Sequence, residues 1–227
     1  MQFRSPWPCR LFLFDLDGTL IDSRIDIANS VSLALARMSL QDVARSQVVE
    51  FVGDGARKLI QRVLREAIGG EATPEQVRRG VELFVEEYQR HSLDTTSLYP
   101  GVRETLDSLS WAHFGVVTNK TERLSRQILE GLGVSSRFCA ILGGDSTPHL
   151  KPHPASLREA MRRCKVEPNE TVMVGDSPVD IDAGHAAGVI TCGISEGFCG
   201  RTALEASGCD LILEHFSELP AHFCPPS

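Results

Sequence analysis

The sequence predicts an α/β fold, a doubly wound parallel sheet carrying an inserted all-helical domain, and three observations support this. Short apolar or β-branched runs recur at Leu11 to Phe14, Phe114 to Val117, Cys139 to Leu142, Thr171 to Val174 and Val189 to Ile194. They lack strict alternation, as strands buried on both faces of a parallel sheet do. Helix-period segments such as Thr121 to Leu132 and Pro154 to Cys164 lie between most of them, giving the alternating order of an α/β domain. From about Ser23 to Ser97 that rhythm stops, and only apolar residues three and four apart remain. A crossover needs only a dozen or so residues, so residues 23–97 read as a helical insertion and residues 1–22 with 98–227 as the α/β core. One long crossover packed on the sheet is the competing reading of the same interval.

The bulk composition is that of a globular chain. Of 227 residues, 42% are hydrophobic and 23% charged, enough for a core without metal or disulfide staples. The net charge is -7 and no long basic run occurs, which argues against nucleic-acid or anionic-membrane partners. The start, MQFRSPWPCRLFLFD, lacks the longer apolar segment of a signal peptide, and nothing approaches the roughly 18 apolar residues of a membrane span. Seven cysteines, an odd number without a CxxC pair, argue against a disulfide framework or thiolate metal site. The reading is of reduced thiols and a cytoplasmic location.

Taken in order, the first run continues as LFLFDLDGTLIDS, so Asp15 and Asp17 follow a buried strand. Asp17-Gly18 is also a favoured turn dipeptide. In the insertion, Ile27, Val31, Leu35 and Met38, then Leu59, Ile60, Val63 and Leu64, then Val77, Val81, Phe84 and Val85 give three stripes. Gly69-Gly70 and Thr73-Pro74 punctuate them as helix ends and starts. Gly53 and Gly55 suit a tight loop, and the basic residues Arg57 and Lys58 either meet an anion or are solvated.

Tyr99-Pro100-Gly101 marks the return to the core. The second strand ends in Thr118, Asn119 and Lys120, and the fourth in Gly175, Asp176, Ser177 and Asp180. Ligands of open α/β sheets bind beyond the carboxyl ends of strands, so these groups are placed for a phosphate or a metal. Each also has a structural reading: Asn119 or Thr121 as a cap, Ser177 as a cap with Pro178 at the first helical position. Lys120 reads as a solvated surface residue, and His149 and His153 as loop residues. The final Pro225-Pro226-Ser227 reads as a frayed tail.

The set FDLDGTLIDS, VVTNK, HLKPHP and VGDSPVDIDAG, in this order, resembles the haloacid dehalogenase-like hydrolase superfamily. The motifs span residues 12 to 188. The resemblance implies a Rossmann-like core with a helical cap, and a mechanism in which Asp15 attacks phosphorus while Asp17 carries the proton of the leaving alcohol. It also implies Mg²⁺ held by Asp15, the Asp17 backbone carbonyl and Asp176, with Asp180 holding a metal-bound water or orienting the lysine. Thr118, Asn119 and Lys151 would bind phosphate. VGDGARKLIQRVL and GGDSTPHLKPHPASL resemble the phosphoglycolate phosphatase branch, in which Gly53, Gly55 and Arg57 of the cap would select the substrate. The expectation is a phosphomonoesterase for a small phosphate ester, 2-phosphoglycolate first. Alternatives are N-acetylmuramic acid phosphate, pyrophosphate, or a phosphomutase that returns the phosphoryl group to its substrate. The protein is expected to be a monomer or homodimer.

Overall fold

The computed structural model describes residues 6–226. Residues 1–5 and Ser227, parts of the stretches read above as lacking a leader and as a frayed tail, lie outside them. The chain forms two compact units, one up to Asp22 and again from Leu98 onward, the other Ser23–Ser97.

The main sheet of the first unit opens with β1, Leu11–Phe14. The second unit then supplies α1 (Arg24–Arg37), α2 (Arg45–Glu50), α3 (Ala56–Ile68) and α4 (Pro74–His91). After it come α5 (Val102–Ser108), β2 (His113–Val117), α6 (Glu122–Gly131) and β3 (Ala140–Leu142). The chain ends through α7 (Ala155–Cys164), β4 (Thr171–Gly175), α8 (Pro178–Ala187), β5 (Ile190–Ile194), α9 (Gly200–Ala206) and β6 (Leu211–Leu213).

The six strands pair in the order β3-β2-β1-β4-β5-β6, every pair parallel. Strand β1 is central, and its four apolar residues serve two faces because side chains alternate. Leu11 and Leu13 pack with Leu142, Leu157, Met161 and Met173. Phe12 and Phe14 turn the other way, where the Phe12 ring lies 6.2 Å from Phe114 and 5.1 Å from Phe223, and Phe14 lies 5.3 Å from Phe216. This two-sided burial explains the unbroken apolar run. Strand β6 is absent from the sequence reading because it is a three-residue edge strand with Leu211 and Ile212 half-buried, too short and too exposed to announce itself. Close to the chain's end, Trp7–Pro8 pairs in parallel with Phe223–Cys224.

The reading of all seven cysteines as reduced thiols is corrected. Cys139, just before β3, and Cys164, the last residue of α7, form a disulfide with Cα atoms 6.1 Å apart. The reason is tertiary: α7 packs back against β3, so residues 25 apart in sequence meet without any CxxC spacing. Cys9, Cys192, Cys199, Cys209 and Cys224 are free.

In the helical unit the expected stripes bury Ile27, Val31 and Leu35, then Leu59, Ile60, Val63 and Leu64, then Val77 and Phe84. On α4 the face turns so that Leu83 and Tyr88 are buried while Val81 and Val85 are only half-buried. Gly69 ends α3 at φ +72°. Thr73 and Gln76 form a reciprocal cap at the start of α4: the Thr73 N–H donates to Gln76 Oε1 at 2.8 Å and the Gln76 N–H to Thr73 Oγ1 at 3.2 Å. Among the described residues no helix is long and apolar enough to cross a membrane.

One buried charge organises this unit. Asp26, fully buried in the first turn of α1, accepts from the backbone N–H and the hydroxyl of both Thr95 and Thr96, at 2.6 to 3.1 Å. Desolvation pushes its carboxyl up, but these donors outweigh it and hold the group below the usual carboxylate range. Asp26→Ala would strand four donors that now serve an anion. A loss of about 3 kcal/mol in urea unfolding is expected, against little change for the exposed Asp94→Ala.

Candidate active site

Successive strands are added outward in one sense from β1 to β3 and in the opposite sense from β4 to β6, so the carboxyl ends of β1 and β4 form a topological switch point. Asp15, Asp17, Thr118, Asn119 and Asp176 lie in the segments that leave this end of β1, β2 or β4, Asp180 in the helix that follows β4, and Lys151 in the loop that leads into α7. Asp15 directly follows β1, and its N–H donates to the Val174 carbonyl of β4 at 2.9 Å. Thr118 directly follows β2 and is buried. Asp176 directly follows β4, and Asp180 lies in the first turn of α8.

Lys151 joins them. Its Nζ donates to the Val117 carbonyl at 2.7 Å and to Asp180 Oδ1 at 2.6 Å, and forms an ion pair with Asp15 Oδ1 at 2.8 Å. Two of the three ammonium donors go to Val117 and Asp180 in hydrogen bonds, while Asp15 Oδ1, a buried oxygen without a hydrogen-bond partner, meets the lysine as an ion pair. Desolvation drives the ammonium toward neutrality, but the charges of Asp15 and Asp180 outweigh it and push the Lys151 pKa up. Asn119 sets the backbone of this lysine, since its Oδ1 accepts from the Lys151 N–H at 2.9 Å and its Nδ2 donates to the Lys151 carbonyl at 3.1 Å. The sequence reading gave Asn119 a phosphate-binding N–H; its side chain is also the clamp of the lysine loop.

The Asp180 carboxylate serves two neighbours. Oδ1 meets Lys151, while Oδ2 accepts from the Ser177 N–H at 3.1 Å and the Ser177 hydroxyl at 2.6 Å. Asp176 accepts from the Phe198 N–H at 2.7 Å and the Thr19 hydroxyl at 3.3 Å. Thr19 and Phe198 were missed: the first stands in the DGT sequence and had a signal, while the second contributes only backbone and had none. Gly18 adopts φ +82°, and a Cβ there would sit 2.3 Å from Asp176 Oδ2. Only glycine lets the turn after Asp17 approach that carboxylate.

Lys120 contradicts its reading as a solvated surface residue. Its Nζ donates to Asp17 Oδ1 at 2.6 Å, with 7% and 13% of the two side chains exposed. The partner is 103 residues away in sequence, so no local pattern could reveal it. His149 and His153 lie in the loop around Lys151, as expected, with rings 4.2 Å apart.

Gly53, Gly55 and Arg57 lie in the helical unit. Gly53 and Gly55 have φ of +122° and +89°, and Gly55 precedes α3. Arg57 is exposed, whereas Lys58 is engaged by Asp54 Oδ1 at 3.2 Å, beside Arg62 on Asp54 Oδ2 at 2.6 Å.

The core site carries excess negative charge. Asp15, Asp176 and Asp180 each offer an oxygen within 4.8 Å of the others, all three buried, and Lys151 is paired with Asp15 and Asp180. Burial, then the neighbouring charges, push the Asp15 carboxyl up to about 6, despite Lys151 pulling it down. Burial together with Asp180 and Asp15 raises Asp176 well above the usual range. Three hard oxygen donors with surplus charge fit a divalent cation.

The chain resembles known proteins along most of its length. A model described as haloacid dehalogenase-like hydrolase matches residues 12–194. A phosphoglycolate phosphatase of Haemophilus influenzae is 37% identical over 215 residues, 92% of this chain and 96% of the relative. One from Vibrio parahaemolyticus is also 37% identical, over 214 residues, 92% of this chain and 94% of the relative. Among crystal structures, one described as a predicted phosphoglycolate phosphatase from Haemophilus somnus superposes with a TM-score of 0.86 at 33% identity, covering 93% of this chain and 96% of that one.

The raised Asp15 value gives a signed prediction. Its folded pKa, about 6, exceeds the unfolded value of about 3.9, so in metal-free protein this group's contribution is fully present below about pH 4. It is lost as pH rises through about 6. A bound divalent cation competes with those protons. Added Mg²⁺ at about one hundred times its pH 7.5 Kd is therefore expected to stabilise the protein by about 2 to 3 kcal/mol at pH 7.5, with a smaller rise in thermal midpoint at pH 5. Asp176→Asn should remove most of the effect.

Proposed function

The chain belongs to the haloacid dehalogenase-like hydrolases and is a phosphatase, and from that premise we propose a Mg²⁺-dependent phosphomonoesterase that forms an aspartyl-phosphate on Asp15. The observation that carries this reading is the buried lysine shared by Asp15 and Asp180. A fixed ammonium beside a carboxylate offsets the repulsion between that nucleophile and an anionic phosphate.

The residues divide the work. Asp15 attacks phosphorus, and the bond to the leaving oxygen breaks with its electron pair on that oxygen. Asp17 gives the leaving oxygen its proton, then takes a proton from the water that hydrolyses the acyl phosphate. Lys151 and the Thr118 hydroxyl, with the Asn119 N–H, hold the phosphate oxygens. Asp15, Asp176 and the Asp17 backbone carbonyl would hold the metal, with Asp180 keeping Lys151 in place. When bound, the cation supplies positive charge to the phosphate oxygens as charge develops there.

The substrate we propose is 2-phosphoglycolate, supported by the names of the relatives above at 37% identity. We assign the helical unit the choice of leaving group, through Gly53, Gly55 and the exposed Arg57.

Two measurements test the reading. Asp15→Asn is expected to lower turnover at least about a thousandfold while circular dichroism and thermal midpoint stay those of a folded protein; unchanged turnover removes Asp15 as nucleophile. In a panel of phosphate esters assayed by kcat/KM, 2-phosphoglycolate should exceed a generic aryl phosphate by about tenfold or more, and Arg57→Ala should narrow that margin. Equal values would withdraw the substrate.

A further inference from the structure

We propose that Lys120 is the positioning residue of Asp17, holding one carboxylate oxygen so that the side chain is fixed for proton transfer to the leaving oxygen. The inference rests on the reading of Asp17 as proton carrier. The Nζ to Oδ1 distance is 2.6 Å with both side chains nearly buried. The contact fixes Oδ1 of Asp17, and the proton for the leaving oxygen is carried on Oδ2, since an ammonium donates to the carbonyl oxygen of a carboxylic acid as it does to a carboxylate; the pair holds its partners in one arrangement.

The lysine is itself held at both ends of its peptide unit. Its N–H donates to Thr118 Oγ1 at 3.3 Å, and its carbonyl accepts from the Gly144 N–H at 2.8 Å. A Cβ at Gly144 would lie 2.7 Å from the Asn119 carbonyl oxygen, so the close approach of the loop after β3 to the loop after β2 depends on glycine. The chain therefore runs rigidly from β2 through Lys120 to Asp17, and the same five-residue stretch VTNKT carries the phosphate-binding hydroxyl and the lysine clamp.

In the first half-reaction the Asp15 oxygen bonds to phosphorus, the bond from phosphorus to the leaving oxygen breaks, and that oxygen takes both the electron pair and the Asp17 proton. A misplaced Asp17 would slow departure of a basic alkoxide by about a hundredfold. It would hardly affect a nitrophenolate, which leaves without a proton.

The test is kcat/KM, which reports the steps up to departure of the leaving group, for a series of alkyl and aryl phosphates with Mg²⁺ on wild type, Lys120→Met, Lys120→Arg and Asp17→Asn. Lys120→Met is expected to lose about a hundredfold on alkyl esters such as 2-phosphoglycolate and less than about threefold on 4-nitrophenyl phosphate. Lys120→Arg should recover most of the alkyl activity, and product inhibition by inorganic phosphate should be unchanged in both. An equal loss on every ester, or a loss that follows a carboxylate on the substrate rather than leaving-group basicity, overturns the proposal. Asp17→Asn separates the two levels: if it shows no dependence on leaving group, the proton-carrier reading has failed, whereas a steep dependence there with none in Lys120→Met defeats only the role of Lys120.

Discussion

The interaction on which the rest of the site depends is the Lys151 ammonium set against Asp15, Asp180 and the Val117 carbonyl. Those oxygens follow β1, begin α8 and end β2, so a single cation ties together three segments that the sheet brings to the same edge. Burying it would cost several kcal/mol without partners, and Asp15 and Asp180 supply the compensating charge. The geometry is thus fixed from both sides: the strands deliver the oxygens, and the lysine constrains where they can stand.

Negative charge remains after that pairing. Three buried carboxylates surround one ammonium, and burial raises both Asp15 and Asp176. Burial and crowding of like charges oppose ionisation here, and a further cation would offset both. The supporting backbone is correspondingly tight: Gly18 admits Asp176, and Ser177 spends its N–H and hydroxyl on Asp180. A fixed arrangement of charges is what stabilisation of phosphoryl transfer requires.

The parts of this design that were legible in the sequence are those with local signatures. LFLF announced a strand covered on both faces, and Ser177-Pro178 announced the start of α8. The stripe Leu59, Ile60, Val63 and Leu64 marked the buried face of α3. What was not legible depends on distant partners. Lys120 finds Asp17, Asp26 finds Thr95 and Thr96, and Cys139 finds Cys164 only after the chain has folded. Strand β6 escaped for a different reason, because an edge strand does not need the apolar content that buried strands show. Asp180 was expected to hold a metal-bound water or orient the lysine; one of its oxygens meets Lys151 and the other takes the two donors of Ser177.

The most direct test of the account is to trap the covalent state. Protein turning over 2-phosphoglycolate with Mg²⁺ would be quenched in acid within milliseconds, treated with borohydride to reduce any acyl phosphate, and mapped by peptide mass spectrometry. The account predicts homoserine at position 15, formed from Asp15 at a rate no slower than turnover, and at no other aspartate. Turnover without modification of Asp15, or modification of Asp17, Asp176 or Asp180 instead, would contradict it.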